Sequence, residues 1–313
     1  MTKVLFADRL SAQAEWRLVH RVADASMPIM TRAVQRALAA LSNDTTWTRV
    51  ADALKNGDAN AAVYAINLEG LAQRLRGKVW PIVFNTFMRS GQVVMRRVSQ
   101  GSYSANKLVK EAKPNRPASA SIGMSFKETN PYAQEWAEQF AAKMITAVTH
   151  ETREAARAVV SEAFRQQVTW SATTKRIRQV IGLNKRQALA IESLRIRLQA
   201  EGLAVGVVDK RVEFAAAKSL RARSELIART EIMGASNAGQ LEAWRQGRSD
   251  GIIDSGLVKE WITTNDDRLC PECEPLDGEQ RQIDEAFTGG VTEPPLHPDC
   301  RCAVGLAIPK GRG

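Results

Sequence analysis

The chain has 313 residues, is 44% hydrophobic with only 6% aromatics, and carries a formal charge of +10. That length suits one large domain or two ordinary ones, and the richness in Ala, Arg, Gln and Glu favours helices. No apolar run reaches the roughly 18 residues of a membrane span, and no secretory segment is recognisable at the start, so the reading excludes a membrane role and expects a soluble chain in a reducing compartment.

Residues 7–41 predict a helix, because Leu10, Ala14, Leu18, Val22, Ile29, Ala33, Val34, Leu38 and Leu41 recur at three- and four-residue steps. Pro28 is expected to kink or divide it. Asn43-Asp44 is expected to cap a short helix ending near Asn56-Gly57. Asp58 is expected to cap the next, which carries Ala61, Ala62, Ala65, Leu68, Leu71 and Leu75 until Trp80-Pro81 interrupts it. Helix resumes through Val83, Phe87, Val94 and Val98. Trp16, Trp47 and Trp80 read as core or inter-helix packing, and His20, like His150, as a surface or inter-helix residue. Residues 101–130 are rich in Ser, Pro and Gly with weak periodicity, which predicts a linker.

Asn130-Pro131 opens a long helix with an apolar stripe at Trp136, Phe140, Met144, Val148, Ala155 and Val159. His150 and Glu151 open a sequence like a metalloprotease helix, but Glu154 stands where the second His is required, so that reading fails. A short helix is predicted over 175–181 up to Gly182, and Asn184 caps another that runs to Glu201-Gly202. A final long helix is expected from Asp209 to about Gly247, with Val212, Phe214, Leu220, Leu226, Ile227, Ile232 and Met233 on its buried side. The last two helices should pack as an antiparallel hairpin. Beyond Gly247 the period changes to two, which predicts three short strands at 259–264, 280–283 and 302–308.

The chemistry concentrates in that last part. Cys270-Pro-Glu-Cys273 and His297-Pro-Asp-Cys300-Arg-Cys302 hold every cysteine of the chain and one of its three histidines. Two tight turns supplying sulfur and nitrogen donors are what tetrahedral Zn2+ takes. Disulfides would suit an oxidising compartment, and a redox Cys-x2-Cys would need a βαβ setting. The ligand set expected is Cys270, Cys273, His297 and one of Cys300 or Cys302, between which spacing does not choose. Four protein ligands leave no position for a reacting water, so the ion is read as structural, a clamp on a sheet too small to stand alone.

Charge is divided as well. Residues 261–313 carry 5 Lys/Arg against 10 Asp/Glu, whereas 175–229 carry 13 against 5. A basic helical body points to a polyanionic partner, contacted through phosphates because aromatics are not interleaved with the basic positions. On Arg229-Thr230-Glu231, the two charged residues cannot share a helix face. Thr230, Asn237 and Gln240 do share one, and are expected to dock on the metal-binding part and satisfy its loop backbone.

Several of these features together resemble the phage head morphogenesis proteins typified by phage Mu protein F and the minor head protein of phage SPP1. The resemblance spans roughly 125–308. It is carried by Phe126 to Pro131, Ile177 to Leu183, Arg186 to Ala188, Ile227 to Glu231, Asn237, Gly239, Lys259, Trp261, Asp267, Arg268, Leu276, Gly278, Phe287, Pro294-Pro295 and the two Cys/His turns. It implies a minor capsid protein of the virion, met in the host cytoplasm during assembly, with portal, capsid and scaffold proteins as partners and double-stranded DNA as a further contact. Residues 1–100 carry no motif of the family. The expected fold is mainly α: an elongated helical body with a small C-terminal α+β subdomain stapled by zinc. The expected division is an N-terminal helical domain at 1–100, a linker at 101–130, a helical head-morphogenesis region at 131–247 and the metal-binding subdomain at 248–313. No catalytic residue is assigned. The alternative is a zinc-containing nuclease or hydrolase acting on phage DNA, and it would need a base other than His297.

Overall fold

A computed structural model describes residues 2–99, 126, 131–264, 266 and 269–310. The predicted linker at 101–130 apart from Phe126, the Asn130 cap, and Asp267-Arg268 lie outside the described residues. The fold is mainly α with a small three-stranded sheet near the C-terminus. The chain packs as two compact units, one of Met1–Pro28, Ile82–Glu138 and Arg229–Gly313, the other of Ile29–Pro81 and Gln139–Ala228.

Helix α1 runs over Thr2–Asp44 and is not divided at Pro28. Buried side chains on both sides of the proline, Val22, Ala23, Met30 and Val34, outweigh the single helical hydrogen bond it removes. Asn43 and Asp44 belong to α1 and do not cap the next helix. The carbonyls that end α1 are met instead by the Thr45 hydroxyl, 2.8 Å from Leu41 O, and the Trp47 indole, 2.7 Å from Ser42 O. α2 (Trp47–Lys55) therefore starts from Thr46, whose side chain makes no capping bond.

Asp58 caps α3 (Ala59–Tyr64) as expected, but the helix predicted beyond it is two. Asn67 accepts from Gly70 N–H at 2.9 Å and starts α4 (Leu68–Lys78), an instance of Asn competing with the helix backbone to begin a new one. Pro81 does not interrupt a helix; it occupies the first turn of α5 (Trp80–Ser99), where its missing N–H costs nothing.

α6 (Pro131–Arg165), α7 (Trp170–Val180), α8 (Lys185–Ala200) and α9 (Val205–Ser249) follow. Asn184 and Gln187 form a reciprocal capping box on α8. The predicted hairpin is present: Arg195 of α8 reaches Asp209 and Gln187 reaches the carbonyl of Ser219, so the partners run antiparallel. α7 lies parallel to α9, with Lys175 on Asp209 and Gln179 on Glu213. Between the three helices Arg176 and Arg195 are buried on Glu192 at 3.2 and 3.4 Å. Arg223 is buried as well and donates to the carbonyls of Gly182 and Val148, to Thr152 and to Glu151. Burial pulls the Arg176 and Arg223 guanidiniums below their ordinary range.

Two residues expected on the buried side of α9 are not there: Phe214 is 76% and Leu226 43% exposed. The buried stripe passes through Val208, Val212 and Ala216. Phe214, two positions from the last two, falls about 200° around the helix from each.

The three predicted strands are β1 (Val258–Ile262), β2 (Gln280–Arg281) and β3 (Ala303–Ala307), in the order β2-β1-β3. All pairs are antiparallel, with Glu260 opposite both Gln280 and Gly305. Trp261 packs edge-on to Phe287 at 5.2 Å, and the buried Lys259 reaches the carbonyl of Thr292 at 2.7 Å. Desolvation holds that ammonium down at about 8.

Candidate metal centre

Each Cys/His motif folds into a tight turn whose backbone hydrogen bonds point its donor atoms inward. In the first, Cys273 and Glu274 N–H both donate to Cys270 O at 3.0 Å, while Glu272 N–H lies 3.4 Å from Cys270 Sγ. In the second, Cys300 N–H donates to His297 O at 3.2 Å, and Asp299 completes the turn with a positive φ of 67°. Asp tolerates that conformation better than most side chains.

His297 is oriented for coordination. Its Nδ1 is 2.8 Å from the Pro298 carbonyl, which can only accept, so Nδ1 carries the proton and the Nε2 lone pair faces Cys273 Sγ at 3.1 Å. The donor atoms of Cys270, Cys273 and His297 lie within 4.8 Å of one another, and so do those of Cys273, Cys300 and Cys302. Cys273 is common to both sets. Its sulfur is 3.8 Å from that of Cys300. Zinc–sulfur bonds of about 2.3 Å in a tetrahedron give a sulfur–sulfur edge of about 3.8 Å, so the spacing fits the ion. All five predicted donors thus converge and could hold a metal ion.

The sulfurs differ in their surroundings. Cys273, Cys300 and Cys302 are buried, whereas Cys270 and His297 are partly exposed. A hydrogen bond from the Cys302 thiol pulls Cys300 down to about 5, against the opposing effect of burial. The same bond, with burial, pushes Cys302 far up, and burial pushes Cys273 up to about 12.

The second turn is clasped from α9 along the face expected from sequence. Thr230 Oγ1 accepts from Asp299 N–H at 3.1 Å. Asn237 donates to Cys302 O at 3.2 Å and accepts from Val304 N–H at 2.9 Å, and Gln240 donates to Val304 O at 3.0 Å. Arg229 pairs with the carboxylate of the same Asp299. Glu231 is half-buried with no hydrogen bond or ion pair among the described residues, and desolvation pushes its carboxyl up to about 8.

A second clasp comes from α1 and is a contribution that sequence reasoning missed. Trp16 Nε1 and His20 Nε2 both donate to the carbonyl of Arg301, the residue between Cys300 and Cys302, at 3.1 and 2.9 Å. The two rings stack at 3.8 Å, and burial lowers the imidazole pKa. Their four-residue spacing put them on one helix face, which was the only available signal. Glu15, one turn away, joins Gln240 at 2.9 Å and Arg97 at 3.1 Å. A cavity of about 450 Å³ lies outside the donors, lined among others by His20, Asp24, Arg229, Cys270, His297 and Asp299.

His150 is exposed on α6, and Glu154 pairs with Arg157 at 2.8 Å. Neither approaches the five donors in sequence or shares a donor cluster with them among the described residues.

Residues 156–305 match the family described as Phage Mu protein F like protein, a narrower span than the resemblance read from sequence. The searches of curated proteins and of solved structures return no match. The matched span takes in the buried Arg network, the α9 clasp and both Cys/His turns. Over residues 156–305 the chain is similar to the phage Mu protein F-like family, which supports the resemblance to head morphogenesis proteins.

Proposed function

We propose that the chain is a minor head protein that acts by assembling at the portal vertex and remains in the virion. The match over 156–305 carries this reading. Its partners are then the portal, capsid and scaffold proteins, and its contact with packaged DNA is through phosphates. Lys185, Arg186, Lys210, Arg211 and Lys218 support the last point: all are exposed, and none is held by an acid among the described residues.

The ion in this reading is zinc, bound by Cys270, Cys273, His297 and Cys300. The Cys273–Cys300 spacing and the His297-x-x-Cys300 turn favour Cys300 as the fourth ligand, with Cys302 behind it. Zinc would supply no chemistry to a substrate here. It fixes the two turns against the ends of β1 and β3, and Thr230, Asn237, Trp16 and His20 hold the backbone of the second turn in register. The residues of the centre are therefore positioning residues for a docking surface. A hydrolase would need a paired acid and base, and Glu231 has no titratable partner among the described residues.

Fractionation of purified particles with mass spectrometry tests the assembly role. The chain is expected in proheads and virions at low copy, and its absence from both overturns the proposal. Elemental analysis should return one zinc per chain. DNA binding should weaken steeply with salt; binding indifferent to salt removes the phosphate contact.

A further inference from the structure

The four sulfurs of the candidate metal centre are not equally protected. Cys273, Cys300 and Cys302 are at most 3% exposed, whereas Cys270 is partly open to solvent. Cys270 also lines the cavity of about 450 Å³, in company with Asp24, Arg229, Asp299 and Arg301. These residues lie in one compact unit. Guanidinium donors and carboxylate acceptors around such a space suit a small, neutral, hydrogen-bonding molecule. Hydrogen peroxide is one, and sulfur reacts with it.

A second sulfur stands behind the first. Cys273 and Glu274 N–H both donate to Cys270 O at 3.0 Å, so the Cys-Pro-Glu-Cys turn folds back on itself. Its two sulfurs lie within 4.8 Å of each other. An accessible sulfur next to a resolving one is the arrangement of cysteines that answer to peroxide. Cys273 has a rival neighbour in Cys300, at 3.8 Å, but Cys300 is buried and is not the sulfur that an oxidant from the cavity meets first.

We propose that Cys270 is a peroxide-reactive site with Cys273 as its resolving partner, and that their disulfide opens the metal clamp. This rests on the zinc reading. Held by the ion, both sulfurs are thiolates. The Cys270 sulfur attacks one peroxide oxygen; an S–O bond forms, the O–O bond breaks and hydroxide leaves. Cys270 is thereby oxidised by two electrons to a sulfenic acid. The Cys273 sulfur then attacks that of Cys270; the S–S bond forms, the S–O bond breaks and a second hydroxide leaves. Two thiolates and one hydrogen peroxide give one disulfide and two hydroxides. The disulfide lies wholly within the first turn. The donors that remain, His297, Cys300 and Cys302, all belong to the second, so an ion held by them no longer ties the two turns together.

The test uses the full chain, purified with reductant and shown by elemental analysis to carry zinc. Hydrogen peroxide is added with a chromogenic zinc chelator, and the thiols are mapped by mass spectrometry. Zinc should leave in step with a Cys270–Cys273 disulfide, dimedone should trap a sulfenic acid at Cys270 first, and dithiothreitol should restore zinc binding. Losing two ligands should weaken zinc binding by more than the roughly 100-fold that a lost outer partner costs. Cys270→His keeps a fourth ligand but cannot form the disulfide, and should hold its zinc in peroxide. Zinc retained by the oxidised unaltered chain overturns the proposal. So does a first disulfide from Cys273 to Cys300 or Cys302, or a Cys270→His chain that loses zinc as readily. If Cys270→His takes up no zinc, the disulfide map of the unaltered chain decides alone. A chain purified without zinc removes the zinc reading, and the clamp with it, before any peroxide is added.

Discussion

The α7–α9 bundle and the C-terminal sheet are stabilised by opposite means. In the bundle, three helices bury apolar stripes and then place a network of Arg176, Glu192, Arg195 and Asp209 between them. Each charge there is met by another side chain, so the cost of desolvation is offset locally. The sheet has two strands of five residues and one of two, too few to bury a core. Side chains from α1 and α9 satisfy its backbone, and beside it lies a donor cluster that could hold a metal ion. The bundle is expected to keep its order when one contact among many is lost, whereas the tip is expected to depend on a few groups.

The sharpest way to break that contrast is at the donors. Structural zinc contributes on the order of 10 kcal/mol to folding in small metal domains at neutral pH. Cys273→Ser, or chelation, should therefore abolish metal binding and cost the tip its order, seen as lost amide-exchange protection over 258–308 while 185–228 keeps its protection. If both regions lose protection together, the two are one cooperative system and the contrast is false. Cys300→Ser should lose the metal, and Cys302→Ser should keep one zinc per chain; the reverse pattern would exchange their roles.

Next in size is the bundle's own test. Arg223→Met leaves the carbonyls of Gly182 and Val148 without their buried donor, which should cost about 3 kcal/mol in denaturant unfolding with no change in zinc content. A cost below about 0.5 kcal/mol would mean that the apolar stripes alone hold the bundle.

Asn237→Leu should cost about 2 kcal/mol, because two buried backbone groups of the tip, Cys302 O and Val304 N–H, lose their partner. Its zinc affinity should fall in parallel, since the second turn is no longer held.

The smallest effect concerns pH. Glu231, raised to about 8 from 4.5, keeps its proton in the folded chain where the unfolded chain has released it. Stability should then decline as pH rises from about 4.5 to about 8. Glu231→Gln should remove that decline, gaining about 1 kcal/mol at pH 8 and nothing near pH 4.5, after discounting for its residual solvent contact. A pH profile identical to that of the unaltered chain would mean that the carboxylate is already ionised in the fold.

How far the sequence could be read follows from the range of the interactions. Asn184, Asp58 and the stripe of α6 act within four residues, and each was legible from spacing alone. So was the clasp, because Thr230, Asn237 and Gln240 share a face that had to satisfy something polar. Pro28 misled because local propensity gives no weight to Met30 and Val34, which are buried just beyond it. Asn67 misled in the opposite sense, as a cap concealed inside an apolar pattern. Phe214 was assigned to the core on its hydrophobicity, though its phase around α9 places it outside. Nothing local connects His20 with Arg301, 281 positions away, or Glu15 with Gln240.

The contact of Trp16 and His20 with Arg301 bears on the order in which the molecule is completed. The Trp16 and His20 side chains leave the ribosome well before Arg301, whose carbonyl they hold, is made. Closing so long a loop carries its entropic cost before any reward, and such contacts form late in folding. α1 must therefore wait with its polar face unsatisfied until Arg301 arrives. Removing residues 301–313 would leave the part-buried imidazole and indole without their acceptor, so that truncation should be felt in the first helix.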